Sequence, residues 1–233
     1  MIIIPAIDLR DGRVVRLKQG DYKQETLYSD TPLAVAKEFE AAKASRLHVV
    51  DLDGAKDGSP KNRDIIIELA KKCNMPIEVG GGIRTVEAAQ YYLDNGVDYV
   101  IVGSMAINDF ERLKTLVSMY PSRIIVGVDA KDGMVATEGW RNETSVDSET
   151  FIKTLQTIGV KTVIFTDIAK DGMLEGINAA LYAKLVARTH INIIASGGVS
   201  TKEDIETLRA INVYGVIIGR ALDENALRLE DVM

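Results

Sequence analysis

The chain has one cysteine, Cys73. An internal disulfide is therefore impossible, and so is a metal centre built from several thiolates. Flanked by Lys71 and Lys72, Cys73 reads as a small packing residue. Long apolar runs are missing too: none approaches the roughly 20 residues that span a bilayer. The N-terminus has no basic stretch and no small-residue cleavage site, so "MIIIPAI" reads as a first strand and not a leader. Nor is there a block of one charge. With 28 Lys and Arg against 34 Asp and Glu, the formal charge is −6 and the basic residues are dispersed, which argues against nucleic acid as the main partner. These absences leave a cytoplasmic globular chain acting on something small.

What is present is an even alternation. Short apolar runs lie at Ile2–Ile7, Leu47–Val50, Pro76–Val79, Tyr99–Val102, Ile124–Val128, Thr162–Phe165, Asn192–Ala195 and Gly215–Ile218. They lack polar alternation, as strands of a parallel sheet covered on both faces do. Helical periodicity falls between them, at Pro32–Lys43, Arg63–Lys72, Val86–Asn95, Phe110–Met119, Ser148–Ile158, Ala179–Arg188 and Lys202–Ile211, with a last short helix expected over Ala226–Val232. Several helices end in Gly-Val or Asn-Val, which suits a left-handed helix terminus. Eight strand–helix units in one domain of 233 residues predict an α/β fold, a (β/α)8 TIM barrel spanning residues 1–233. An open doubly wound sheet is the rival, but it rarely needs eight such even units.

The chain also repeats itself. "GGGIRTVEAA" at 80–89 echoes "ASGGVSTKED" at 195–204, and Gly197 follows Gly81 by 116 positions, as Gly219 follows Gly103. "VVDLDGAKDG" resembles "IFTDIAKDG", an alignment that sets Asp57 against Asp171 and, with one residue dropped, Asp51 against Thr166. Asp8 and Asp129 complete the set, each in front of an Asp-Gly pair. Two similar half-barrels are the simplest account.

In this fold the chemistry sits where strands run out into loops, and the loops after strands seven and eight are a frequent phosphate site. Here the equipment occurs twice. Gly80-Gly81-Gly82 and Gly103-Ser104 follow strands three and four; Ser196-Gly197-Gly198 and Gly219-Arg220 follow strands seven and eight. Glycine brings an anion close to bare N–H groups. Two opposed cradles predict a long substrate with a phosphate at each end, against the plainer use of glycine in tight turns. Asp8 and Asp129, at the ends of opposed strands one and five, then face its middle as an acid–base pair. A charged group in the mouth of an apolar barrel is costly without such a use, whereas Asp11 and Asp132 read as turn residues. A divalent metal on Asp8, Asp51, Asp129 and Asp167 is the competing use, but no HxxE, ExxH or DxDxDG pattern accompanies it.

At these motifs the chain resembles a family. "IIPAIDLRDGRVVRLKQGDY", "LHVVDLDGAKDG", "VGGGIRTVE", "VGVDAKDG", "TDIAKDGM" and "ASGGVST" are similar, in order and spacing, to the phosphoribosylformimino-aminoimidazole-carboxamide-ribotide isomerases of histidine biosynthesis. The likeness runs from Ile3 to about Leu222. The paralogous cyclase subunit of imidazole glycerol phosphate synthase is less similar, since it reads cysteine where Ala6 stands in "PAID". The resemblance implies an Amadori rearrangement, aminoaldose to aminoketose, on a substrate phosphorylated at both ends, by a monomer with no metal and no organic cofactor. It implies Asp8 as the base at C2 and Asp129 as the acid at the ring oxygen, with Thr166 and Asp171 as supporting polar residues. It places the phosphates on Gly82, Gly103 and Ser104 at one end, and on Gly176, Gly198, Gly219 and Arg220 at the other. Arg16 and Lys18, after strand one, would either contact phosphate or carboxamide or form a solvated hairpin. Trp140, in "VATEGWRNET", would stack on the aminoimidazole, although that segment carries Glu138 where the family tends to have arginine. His48 and His190 read as structural. Two further possibilities accompany the resemblance: a bifunctional isomerase that also accepts phosphoribosylanthranilate, and a non-catalytic sensor of phosphorylated ligands.

Overall fold

Eight parallel strands close on themselves. In the computed structural model, which describes residues 1–18, 20–137, 140 and 142–233, they are β1 (Ile2–Arg10), β4 (Leu47–Asp51), β5 (Ile77–Gly80), β6 (Tyr99–Val102), β7 (Ile124–Lys131), β10 (Thr162–Asp167), β11 (Asn192–Ser196) and β12 (Gly215–Ile218). β12 pairs with β1 and β7 pairs with β10, so the ring has no free edge. Alternation sorts each strand's side chains between two cores. Leu47, Val49, Ile77, Val79, Ile193 and Val216 face the surrounding helices. Ile4, Ala6, Ile101, Ile125, Ile164, Ile194 and Ile217 fill the barrel.

The outer layer holds α1 (Pro32–Ala41), α3 (Arg63–Lys72), α4 (Val86–Asp94), α6 (Phe110–Met119), α7 (Ser148–Thr157), α8 (Ala179–Arg188) and α9 (Lys202–Ala210). Their starts are written in short polar side chains. Thr85 accepts the N–H of Ala88, and its counterpart 116 positions on, Thr201, forms a capping box with Asp204. At the other end, Gly96, Gly159 and Asn212 all have positive φ, as the sequence pattern predicts.

Two hairpins and three short helices go beyond the simple alternation. The segments after β1 and β7 are β-hairpins: β2 (Arg13–Lys18) with β3 (Asp21–Ser29), and β8 (Met134–Thr137) with β9 (Asn142–Asp147). β2 folds back antiparallel on β1, as β8 does on β7. Both reversals use an Asp-Gly pair with positive φ at each residue, Asp11-Gly12 and Asp132-Gly133, the geometry of a type I′ turn. Three short helices are extra: α2 (Leu52–Asp57), α5 (Ser104–Asn108) and α10 (Arg220–Asp223). The expected helix over Ala226–Val232 is not formed. Only one 3-10 turn occurs, at Leu229–Asp231. Leu227, Leu229 and Val232 are each buried in the outer core, a spacing that an extended segment with one tight turn satisfies and a regular helix does not.

The duplication is visible in backbone angles. Gly103 (φ −108, ψ −98) and Gly219 (φ −112, ψ −95) adopt nearly the same unusual conformation at the starts of α5 and α10. The barrel register corrects one detail of the sequence alignment. Asp8 lies beside Val50 and Asp129 beside Thr166, so Thr166 corresponds to Val50, and Asp51 to Asp167.

Candidate active site

Asp8 and Asp129 occupy inward positions at the C-terminal ends of β1 and β7, and both line one cavity of about 330 Å³. Thr166, Asp171, Arg16, Trp140, Gly82, Gly103, Ser104, Gly198, Gly219 and Arg220 contribute to the same walls, so strands from both halves converge there. Gly176 stands behind them. A side chain on Gly198 would come within 2.5 Å of its carbonyl, so Gly176 backs the second glycine loop without lining the cavity. Glu138 and the side chain of Lys18 lie outside the described residues.

The two aspartates hold equivalent positions in very different company. Arg16 extends from β2, buried, and its Nη1 is 2.9 Å from the Asp8 carboxylate. Its Nε reaches Asp223 at 2.6 Å and its Nη2 donates to the carbonyl of Ala6 at 2.5 Å. The hairpin of the second alternative forms, but Arg16 within it is buried and paired, not solvated. Burial alone would lower its pKa, but the charges of Asp8 and Asp223 outweigh that and drive it upward. In the second half the position matching Arg16 is Thr137, which carries no charge. Asp129 has neutral partners instead: Trp140 donates Nε1–H to it at 2.9 Å, and the Thr166 hydroxyl also bonds it. Burial pushes the Asp129 pKa up, and these hydrogen bonds only partly offset the rise. One carboxylate sits in an ion pair; the other is primed to hold a proton.

Asp171, in the turn after β10, is a third acid. Burial and then the charges of Asp8 and Asp129 raise its pKa from 3.8 to about 7. The sign of the consequence is definite. Below about pH 4 it is protonated in folded and unfolded chains alike. Between about pH 4 and 7 only the unfolded chain releases the proton, so this group's contribution to stability falls as pH rises and levels off above 7. Asp171→Asn is therefore expected to be more stable than the parent by about 2–3 kcal/mol at pH 8. The gain should vanish near pH 4, as urea melts at the two pH values will report.

The glycine loops meet the backbone closely. Gly81 (φ +104) and Gly197 (φ +90) turn so that a Cβ would stand 2.2 Å and 2.9 Å from the carbonyls of Asp51 and Asp167. No side chain caps α5 or α10, so no side chain stands in for an anion at either helix start. Arg16 lies against the second cradle, with its guanidinium 3.1 Å from where a Gly219 Cβ would be. Arg220 is held there by Glu224 at 2.6 Å and by the Gly172 carbonyl. Trp140, itself at φ 69, packs over Gly20 at the tip of the first hairpin.

The four carboxylates of the metal alternative are not grouped. Asp51 is fully buried and turned into its own loop, where it accepts from the amides of Gly54 (2.8 Å), Lys61 (2.6 Å) and Asn62 (3.0 Å) and from the Asn62 side chain (2.8 Å). Asp167 bonds the amide of Ala169. Among the described residues no three His, Cys, Asp or Glu side chains are grouped to hold a metal ion, and no helix is long and apolar enough to cross a membrane.

One further wall residue comes from β4. His48, read from the sequence as structural, lines the cavity and bonds Glu78 through Nδ1 at 2.8 Å. The overlooked signal is Glu78 itself, a carboxylate inside an otherwise apolar strand.

A model of the family described as histidine biosynthesis protein matches residues 2–228. The chain belongs to this histidine biosynthesis family. Named relatives are similar along nearly their full length. A protein of Oceanobacillus iheyensis is 49% identical over all of this chain and 97% of its own, and one of Clostridium beijerinckii is 46% identical over 99% and 96%. A Listeria monocytogenes protein is 43% identical over 100% and 97%. All three are named 1-(5-phosphoribosyl)-5-((5-phosphoribosylamino)methylideneamino) imidazole-4-carboxamide isomerase. Within the histidine biosynthesis family, this naming agrees with the isomerase expected from the motifs.

Proposed function

We propose that the chain is the aldose–ketose isomerase its relatives are named for, acting on the doubly phosphorylated ribosyl-formimino-aminoimidazole carboxamide by an Amadori rearrangement. The unlike surroundings of Asp8 and Asp129 are the observation that carries the roles. Asp129, its pKa raised by burial, gives a proton to the furanose ring oxygen. The C1–O bond breaks, and the exocyclic nitrogen's lone pair forms the C1=N bond of a Schiff base. Asp8, fixed by Arg16, removes the C2 proton, and those electrons move through C1 to nitrogen, giving an enolamine. Protonation at C1 and loss of the C2 hydroxyl proton leave the ketone. C1 is reduced as C2 is oxidised, so nothing outside the substrate changes redox state. Thr166 and Trp140 keep the Asp129 carboxyl in place, and Asp171, whose carboxyl is pushed up to about 7, is a supporting polar group in the same cavity.

Anchored ends turn this into a reaction within one bound molecule. One phosphate would rest on Gly82, Gly103 and Ser104, the other on Gly198, Gly219 and Arg220 with Gly176 behind, and the Trp140 ring would cover the aminoimidazole. We place the enzyme in the cytoplasm, working as a monomer. Incubation of the purified protein with the aminoaldose, followed by chromatography, should show the aminoketose appearing at an enzymatic rate. Absence of that product overturns the reading, and comparable turnover of phosphoribosylanthranilate overturns its single-substrate form.

A further inference from the structure

Beneath the cavity the barrel interior contains a hydrogen-bonded trio. Glu78 is fully buried, accepts from Arg46 Nη1 at 2.9 Å and bonds His48 Nδ1 at 2.8 Å. Arg46 is itself buried, and its guanidinium carbon lies 4.0 Å from the centre of the Tyr99 ring. A carboxylate has only acceptors, so Nδ1 of His48 is the donor in this pair. That leaves Nε2 as the free edge of a ring that lines the cavity.

The fold does not need these charges. The positions corresponding to Arg46, His48 and Glu78 in the second half are Thr162, Ile164 and Ile194. His48 pairs with Glu78 across β4 and β5 as Ile164 pairs with Ile194 across β10 and β11. Where the second half closes its share of the interior with isoleucine, the first buries an ion pair. Such pairs seldom repay their desolvation in stability.

We propose that Glu78, anchored by Arg46, is a positioning residue for the isomerisation: it accepts the hydrogen bond from His48 Nδ1–H and thereby aims Nε2 up into the cavity, beneath the reacting carbons between Asp8 and Asp129. This rests on the isomerase reading given above. Residues that act through one another give non-additive losses, whereas independent structural defects multiply.

The second half supplies the test variant. Arg46→Thr/Glu78→Ile removes both charges together, installs the residues the same fold already tolerates at those positions, and leaves His48 without its partner. The double variant should melt within about 5 °C of the parent. Its kcat should fall roughly 10- to 100-fold, with KM changed less than about 3-fold. His48→Gln alone should show a similar loss, and adding it to the double variant should cost nothing further. Multiplicative losses overturn the proposal, as does parental kcat in the double variant. If the double variant does not fold, His48→Gln decides alone: reduced kcat with little change in KM supports the proposal, and parental kcat overturns it. A parent enzyme without turnover would instead refute the isomerase reading, and so the two failures are distinct.

Discussion

Asp8→Asn and Asp129→Asn should each lower kcat by about 10²–10⁴ while the barrel stays folded. The stability changes should differ in sign, because the two carboxylates stand in different surroundings. Asp129 is partly buried among neutral donors and its pKa is raised. A neutral amide removes the cost of charging it, so Asp129→Asn should melt at or above the parent temperature. Asp8 shares buried Arg16 with Asp223, and losing one of the two carboxylates should lower the melting temperature of Asp8→Asn. Thermal melts alongside steady-state kinetics will show both effects. Equal kcat in parent and either variant contradicts acid–base roles.

Asp51→Ala should be the most destabilising single change outside the core. Its carboxylate holds the amides of Gly54, Lys61 and Asn62 and the Asn62 side chain. Asn62 in turn accepts the amide of Gly12 at 3.0 Å, which ties the loop after β4 to the turn of the first hairpin. Removing the carboxylate strands several buried N–H groups at about 1–3 kcal/mol each, so a loss of at least about 3 kcal/mol is expected in urea denaturation. A loss below about 1 kcal/mol means that these amides find other partners.

The eight barrel strands were readable because burial on both faces leaves continuous apolar runs, and the helices between them because their apolar faces recur at helical spacing. The boundaries drift by a few residues where polar groups extend a strand into the site, as Asp8 does in β1 and Thr166 and Asp167 do in β10. The hairpins were harder to foresee. Their Asp-Gly turns are strong signals, yet "RVVRLK" and "NETSVD" lack the clean alternation of a half-buried strand. α2 is held mainly by the Asp51 cap, a contact that involves Asn62 from beyond the helix, and no local pattern contains it. The opposed acids and paired glycine loops were legible through the internal repeat. What the repeat concealed was its own breakdown. Arg16 against Thr137, Thr166 against Val50, and His48 with Glu78 against two isoleucines give the halves separate tasks, and those contacts depend on tertiary packing.

The central claim is that two glycine-lined cradles seat the ends of one substrate so that Asp8 and Asp129 meet its middle from opposite sides. A crystal structure with the aminoketose product bound tests it most directly. The account predicts one phosphate on the Gly82–Gly103 side and the other on the Gly198–Gly219 side, with Asp8 beside C2 and Asp129 beside the oxygen released from the ring. A product that seats a single phosphate, or leaves either aspartate turned away from the sugar carbons, contradicts it.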